Sequence, residues 1–238
     1  MTIKKSITKE YLNSSIQYEN PLIEFNTKIL PYLLNKEKGE PIFNLIKTSK
    51  FLKLAGNVLQ KQAEKGYKFL FVGTDKFISS LLISESISSK SYYINSRWLG
   101  GMLTNWQILQ NRIKKLILLE ELDRKNLSIS IKKKKITTLK KEIKKLNSLF
   151  LGIKDMKSFP QTVIFIDKLK NFSAIKECLS LGIPTIAIID SQTNPKLIPY
   201  PMMSKNTSNS AVKFLIKYLN KKILTGYNNR RLRIYKKI

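Results

Sequence analysis

The side chains of this sequence that could do chemistry are overwhelmingly cations. Lys132, Lys133, Lys134 and Lys135 form an unbroken run. Arg230, Arg231 and Arg233 crowd the C-terminal end beside Tyr227 and Tyr235, and Arg97 stands in a stretch with two tryptophans, Trp98 and Trp106. Groups of this kind neutralise phosphates, and guanidinium or aromatic faces beside them offer surfaces for stacking. Over the 238 residues, 44 Lys and Arg stand against 16 Asp and Glu, a formal net charge of +28. A folded chain of that charge repels itself in water, and its expected partner is a polyanion, most often nucleic acid. Taken alone, a lysine run such as 132–135 is more often a solvated face.

Acid–base and metal chemistry is thinly provided. There is no histidine, which excludes a Ser/His/Asp triad, a histidine metal cage and imidazole catalysis. Cys178 is the single cysteine, so no disulfide framework or CxxC zinc site exists within the chain, and its place on the apolar face of a helix makes it a core residue. Asp167 and Asp190 each follow an apolar strand and should lie at the carboxyl edge of a sheet, where two carboxylates could hold magnesium. Neither a nucleophile nor a phosphate loop accompanies them, which favours loop hydrogen bonds or caps. Phe71-Val-Gly-Thr-Asp75 lacks the GxGxxG and GxxxxGK[ST] patterns and reads as a tight strand-to-helix turn capped by Thr74 or Asp75. A nucleotide-dependent phosphotransferase built on Thr74, Asp167 and Asp190 is the enzyme alternative, and a protein-docking adaptor the other.

The elements that must position these groups follow from hydrophobic spacing. At 42% hydrophobic the chain can bury a core, and no apolar run approaches the roughly 18 to 20 residues of a membrane span. The start lacks a signal-peptide apolar region, so a soluble intracellular protein is expected. Residues 1–40, broken by Pro21, Pro31 and Gly39, read as an arm without core. From Pro41 short apolar runs (Ile42-Phe-Asn-Leu, Phe69-Leu-Phe-Val, Ser91-Tyr-Tyr-Ile, Thr162-Val-Ile-Phe-Ile, Thr185-Ile-Ala-Ile-Ile) alternate with helical periodicities. That alternation predicts an α/β domain over residues 41–101 plus 151–225, with βαβ units around a mainly parallel sheet.

Residues 102–150 break the alternation. Met102, Trp106, Leu109, Ile113 and Leu116, then Ile136, Leu139, Ile143, Leu146 and Phe150, repeat at spacings of three and four. Such seams predict two helices packed antiparallel as an inserted coiled-coil hairpin, the first about 30 Å long. The Gly100-Gly101 pair permits a sharp turn before it, read as a hinge or a packed turn. Residues 226–238 form a basic tail. With 38 of the 44 cations lysine, and with abundant Ile and Asn, the composition suggests an AT-rich coding genome.

Arg97-Trp-Leu-Gly-Gly-Met-Leu-Thr-Asn-Trp106 resembles the hallmark segment of the bacterial-type small-subunit ribosomal protein S-two family. Leu151-Gly-Ile-Lys-Asp-Met156 with Phe159-Pro-Gln-Thr-Val-Ile-Phe-Ile-Asp167, and the stretch from Ala174 to Asp190, are similar to the family's second and third signatures. The likeness runs from about Phe25 to Leu224. It departs from the family in the missing histidine of the N-terminal stretch and in Lys205-Asn-Thr-Ser-Asn-Ser-Ala211, where the family carries an acidic pair.

The resemblance implies a flavodoxin-like, Rossmann-like parallel sheet with the helical hairpin inserted, no catalysis and no cofactor. It implies a place on the small subunit between head and body and contacts with small-subunit rRNA and neighbouring small-subunit proteins. An S-one-like protein would join these where one is present, with no membrane and no homo-oligomer. On that reading Arg97, Lys132–Lys135, Arg230, Arg231 and Arg233 are the expected phosphate contacts. The short hairpin and high lysine suggest an organellar version, plastid before mitochondrion or bacterial cytoplasm. Met1 stands close to the matched stretch with no transit peptide, so synthesis inside the organelle is expected.

Overall fold

The computed structural model describes residues 26–37, 40–124, 133–166, 172–189, 194–204 and 209–235. Asn26 accepts a hydrogen bond from the Lys28 amide at 3.0 Å and starts a short 3-10 turn, Thr27–Tyr32. Strands β1 (Leu33–Glu37) and β2 (Glu40–Phe43) follow as an antiparallel hairpin pairing Leu33 with Phe43. Two expectations are corrected here. Ile29 is fully buried, so core extends into a segment read as coreless. The Ile42-Phe-Asn-Leu run does not join the parallel sheet: Phe43 ends a hairpin, Asn44 caps helix α1 (Leu45–Glu64) by accepting from the amides of Ile46 and Lys47, and Leu45 is already helical.

The main sheet contains β3 (Phe69–Val72), β4 (Tyr92–Ile94), β5 (Thr162–Phe165), β6 (Thr185–Ile189) and β7 (Tyr200–Met203) in the order β4-β3-β5-β6-β7, parallel throughout. Renumbered from β3, that is the 2-1-3-4-5 order of flavodoxin-like sheets. β7, and not the Ile42 run, supplies the fifth strand. Pro201 lies in it opposite Ala187, as an edge strand permits, since one side of each residue needs no partner.

The strands are buried on both faces and their alternation feeds two cores. Leu70, Val72, Ile94, Val163, Phe165, Ala187 and Ile189 pack with helices α3 (Trp106–Arg124), α4 (Lys133–Phe150) and α5 (Phe172–Ser180). Phe69, Phe71, Ile164, Ile186 and Ile188 pack with α1, α2 (Lys76–Ser88) and α6 (Asn209–Tyr235). Cys178 is fully buried in the first core, and burial pushes its thiol up to about 12, so it is packing material as expected.

Helix α6 runs unbroken through Gly226 to Tyr235, past the point where a separate tail was expected to begin. The reason is steric. A Cβ at Gly226 would lie 2.4 Å from the Gln60 carbonyl oxygen and 2.6 Å from the Ala63 Cβ, so this glycine lets α6 press against α1 rather than ending the helix.

Helices α3 and α4 pack together, but not in the register of an aligned coiled coil. Lys115 pairs with Glu142 at 2.6 Å, and Glu120 accepts from Asn147 at 3.0 Å and pairs with Lys154. The Lys154 hydrogen bond holds the Glu120 carboxyl below its ordinary range, against a smaller desolvation cost. In an aligned antiparallel seam, five residues up α3 would mean five residues down α4. Here five residues on from Lys115 are met five residues on from Glu142. Of the expected first seam, Met102, Leu109, Ile113 and Leu116 are buried in the sheet's own core, so that stripe reads the sheet as much as α4. Residues 125–132 lie outside the described residues.

The turn after β3 is structural, as read. The Gly73 amide donates to the Ile94 carbonyl at 2.9 Å and Asp75 accepts from the Phe77 amide at 3.0 Å as the N-cap of α2. Asp75→Ala is expected to cost about 1 kcal/mol, readable as a shift of the urea midpoint with unchanged slope.

Candidate nucleic-acid interface

At the carboxyl edge of the sheet, β4 runs into Asn95-Ser-Arg-Trp-Leu-Gly-Gly, and a carboxylate from α5 organises this segment. Glu177 Oε1 accepts from the Gly101 amide at 2.7 Å and from the Trp98 indole Nε1 at 3.2 Å. Its Oε2 accepts from the amides of Leu103 at 3.1 Å and Thr104 at 3.4 Å. Hydrogen bonds to an ionised acceptor are about twice as strong as neutral ones, and here they satisfy N–H groups just ahead of α3, where a negative charge also favours the helix dipole. Gly101 holds φ +82°, a conformation other residues rarely adopt.

The segment is therefore a packed turn. Trp98 is 6% exposed with its ring 6.3 Å from that of Phe165, so it packs against protein rather than offering the stacking surface expected of it, while Trp106 lies 5.1 Å from exposed Phe159 and is half-buried. Arg97 remains exposed at this edge. Sequence reasoning missed Glu177. The available signal was its position on α5, adjoining the buried stripe Ala174, Ile175 and Cys178 in a chain where acids are scarce.

The C-terminal arginines gather elsewhere. Arg230, Arg231 and Arg233 are exposed on the last turns of α6, beside the end of α1. Arg233 pairs with Glu64 at 3.0 Å, and Asn229 donates to the same carboxylate at 2.8 Å. That Asn229 bond chiefly holds the Glu64 carboxyl below its ordinary value, against desolvation, with Arg233's charge adding. Arg231 lies over the Tyr235 ring at 5.6 Å. Arg230 covers Gly66, where a Cβ would fall 1.2 Å from its Nη1. Nearby, Lys68 donates to the Lys90 carbonyl at 3.1 Å, and Tyr227, whose phenol burial pushes up to about 12, donates to the Tyr67 carbonyl.

Gly66 and Tyr67 lead into β3, so these arginines lie at the amino edge of the sheet, whereas Arg97 follows β4 at the carboxyl edge. The expected phosphate contacts thus divide between opposite ends of the sheet. Lys132 lies outside the described residues; Lys133, Lys134 and Lys135 open α4, and their side chains lie outside them too. Asp167 and Asp190 also lie outside the described residues. Among the described residues no cluster of three or more His, Cys, Asp or Glu could hold a metal ion, and no helix is long and apolar enough to cross a membrane.

The family model described as Ribosomal protein S2 matches residues 12–226. The chain is 36% identical to "Small ribosomal subunit protein uS2c" of Trieres chinensis, over 91% of this chain and 95% of that protein. The chain belongs to the ribosomal protein S2 family. Similar proteins include "Small ribosomal subunit protein uS2c" of Mesostigma viride, 33% identical over 92% of this chain and 96% of that one. Another is "Small ribosomal subunit protein uS2" of Microcystis aeruginosa, 31% identical over 91% of this chain and 82% of that protein. As an S2 protein the chain is a structural, non-enzymatic constituent of the small ribosomal subunit, associated with its rRNA and its other proteins. The S2 match takes in Arg97, the Gly100-Gly101 turn and Glu177, and it ends at Gly226, so Arg230, Arg231 and Arg233 lie beyond it.

Proposed function

We propose that this S2 protein holds small-subunit rRNA of a plastid ribosome by neutralising phosphates at both ends of its sheet, with Arg97 at one end and Arg230, Arg231 and Arg233 at the other. Lys132, Lys133, Lys134 and Lys135 add a third group of phosphate contacts. The observation that carries this reading is the placement of exposed arginines at two separated edges of the sheet in a chain of net charge +28. A-form RNA offers phosphates and 2′-hydroxyls rather than a readable major groove, so fixed spacing between charges does the selecting. The plastid assignment is supported by the uS2c names of the relatives from Trieres chinensis and Mesostigma viride. One copy per subunit, with an S-one-like protein as a neighbour where one exists, completes the proposal.

The test is the salt dependence of binding to small-subunit rRNA. Each phosphate contact contributes about 0.7 to 0.9 to the slope of log K against log salt. The Arg230→Ala/Arg231→Ala double variant should weaken binding and flatten the slope by about 1.5. An unchanged slope would remove the α6 arginines from the interface.

A further inference from the structure

The two glycines of the signature turn are there for different reasons. Gly101 is required by the fold, since its φ is +82° and a Cβ would stand 2.8 Å from the Asn105 side-chain nitrogen. Gly100 has neither requirement: its φ is outside the left-handed region, it is exposed, and a Cβ added there would meet nothing within 4 Å. No packing within the described residues calls for a glycine at 100. A bare backbone at such a point suits the close approach of something outside the chain.

Gly100 borders a groove of about 150 Å³ between the turn and α3. Half-buried Leu99 and exposed Ile108 supply its accessible apolar surface over a closed floor that includes Phe150, and Asn105 and Arg112 supply its polar groups. Arg112 and Arg97 are both exposed, and neither makes an ion pair among the described residues. The carboxylate bonded to this turn, Glu177, is engaged by four N–H donors.

We propose that this groove seats an unpaired nucleotide of small-subunit rRNA, its backbone passing over Gly100, a phosphate taken by Arg112 and the base or ribose lying on Leu99 and Ile108. Charge selects RNA over a protein segment: the one charged residue lining the groove, Arg112, is a cation, exposed Arg97 stands on the same turn, and the chain carries +28. Unpaired bases, unlike those in an A-form helix, can be splayed onto apolar surfaces. The inference rests on the rRNA-binding reading above and adds to it a site and the strandedness of what fills it.

Gly100→Val and Arg112→Gln test it, with plastid small-subunit rRNA transcribed in vitro as the probe, filter binding across a salt series, and melting temperature as the control for folding. Gly100→Val should melt with the parent and bind about tenfold more weakly or worse. Arg112→Gln should flatten the salt slope by about one contact. Parent-like binding by both variants would overturn the groove assignment while leaving rRNA binding intact. Parent-like rRNA binding by Gly100→Val, with loss of a neighbouring protein when the variant is reconstituted into small subunits and sedimented on a gradient, would overturn it too, in favour of a protein occupant. A parent chain that binds no rRNA at any salt would overturn the functional reading itself, and this inference with it.

Discussion

Glu177→Ala is expected to lower the free energy of unfolding by about 3 kcal/mol, although Glu177 contributes nothing to the hydrophobic core. Its carboxylate accepts from Trp98 Nε1 and from the amides of Gly101, Leu103 and Thr104. A hydrogen bond to a charged group is worth roughly 1.5 to 3 kcal/mol, and a donor left buried without a partner costs about 1 to 3 kcal/mol. The four do not add in full. Thr104 is exposed and water replaces its partner, whereas Trp98 and Leu103 are buried. Glu177→Gln keeps one acceptor oxygen but turns an amide nitrogen toward N–H donors, so it should fall between the parent and the alanine variant. Urea denaturation would read both, and an alanine variant within about 1 kcal/mol of the parent would refute this account of the turn. The alanine variant should also lose rRNA affinity, because Arg97 and Gly100 are carried on the turn that Glu177 holds.

Gly226→Leu should be as damaging from the other end of the molecule. Even the first added carbon falls 2.4 Å from a backbone oxygen of α1 and 2.6 Å from the Ala63 Cβ, and neither is the far end of a flexible side chain. The helices must separate where Ala63, Leu219 and Ile223 are fully buried. Overpacking of this kind costs about 1 to 3 kcal/mol for added methylenes in a well-packed core and more where backbone must move. At about 2 to 4 °C per kcal/mol for a chain of this size, a fall in melting temperature of about 6 to 12 °C is expected. Gly226→Ala should move it in the same direction by less. A leucine variant that melts with the parent would mean that the two helices do not depend on this contact. Gly100→Val is the contrasting case, predicted to leave the melting temperature alone.

These residues mark what hydrophobic spacing can and cannot say. Strands β3, β4, β5 and β6 were legible because short runs rich in β-branched and aromatic residues, bounded by turn residues, suit a strand buried on both faces. The Ile42 run has the same look but pairs with residues eight and ten back; an apolar run states its burial, not its partner. β7 was masked by Pro201, which demotes a strand in sequence reading unless the edge position is known. The three-and-four spacing of residues 102–116 reported a true apolar stripe, but a stripe does not say whether a second helix or a sheet covers it. Gly226 marked the expected start of the tail, and only the proximity of α1 reveals its use within a continuing helix. Of the site, the exposed arginines were visible from charge alone. Glu177 was not, since a side chain bonded to backbone more than seventy residues away leaves no local pattern.

Pro201 has one more consequence. An open sheet offers unpaired N–H and C=O groups along its two outer strands, a template on which a second copy could extend the ladder into aggregates. Here β4 is only three residues long, and β7 carries a proline that withholds one donor from any incoming strand. A ribosomal protein exists, between synthesis and assembly, as a free chain at whatever concentration outruns its RNA. The two blunted borders, with a charge of +28 that keeps copies apart, let it wait in that interval without polymerising through its own sheet.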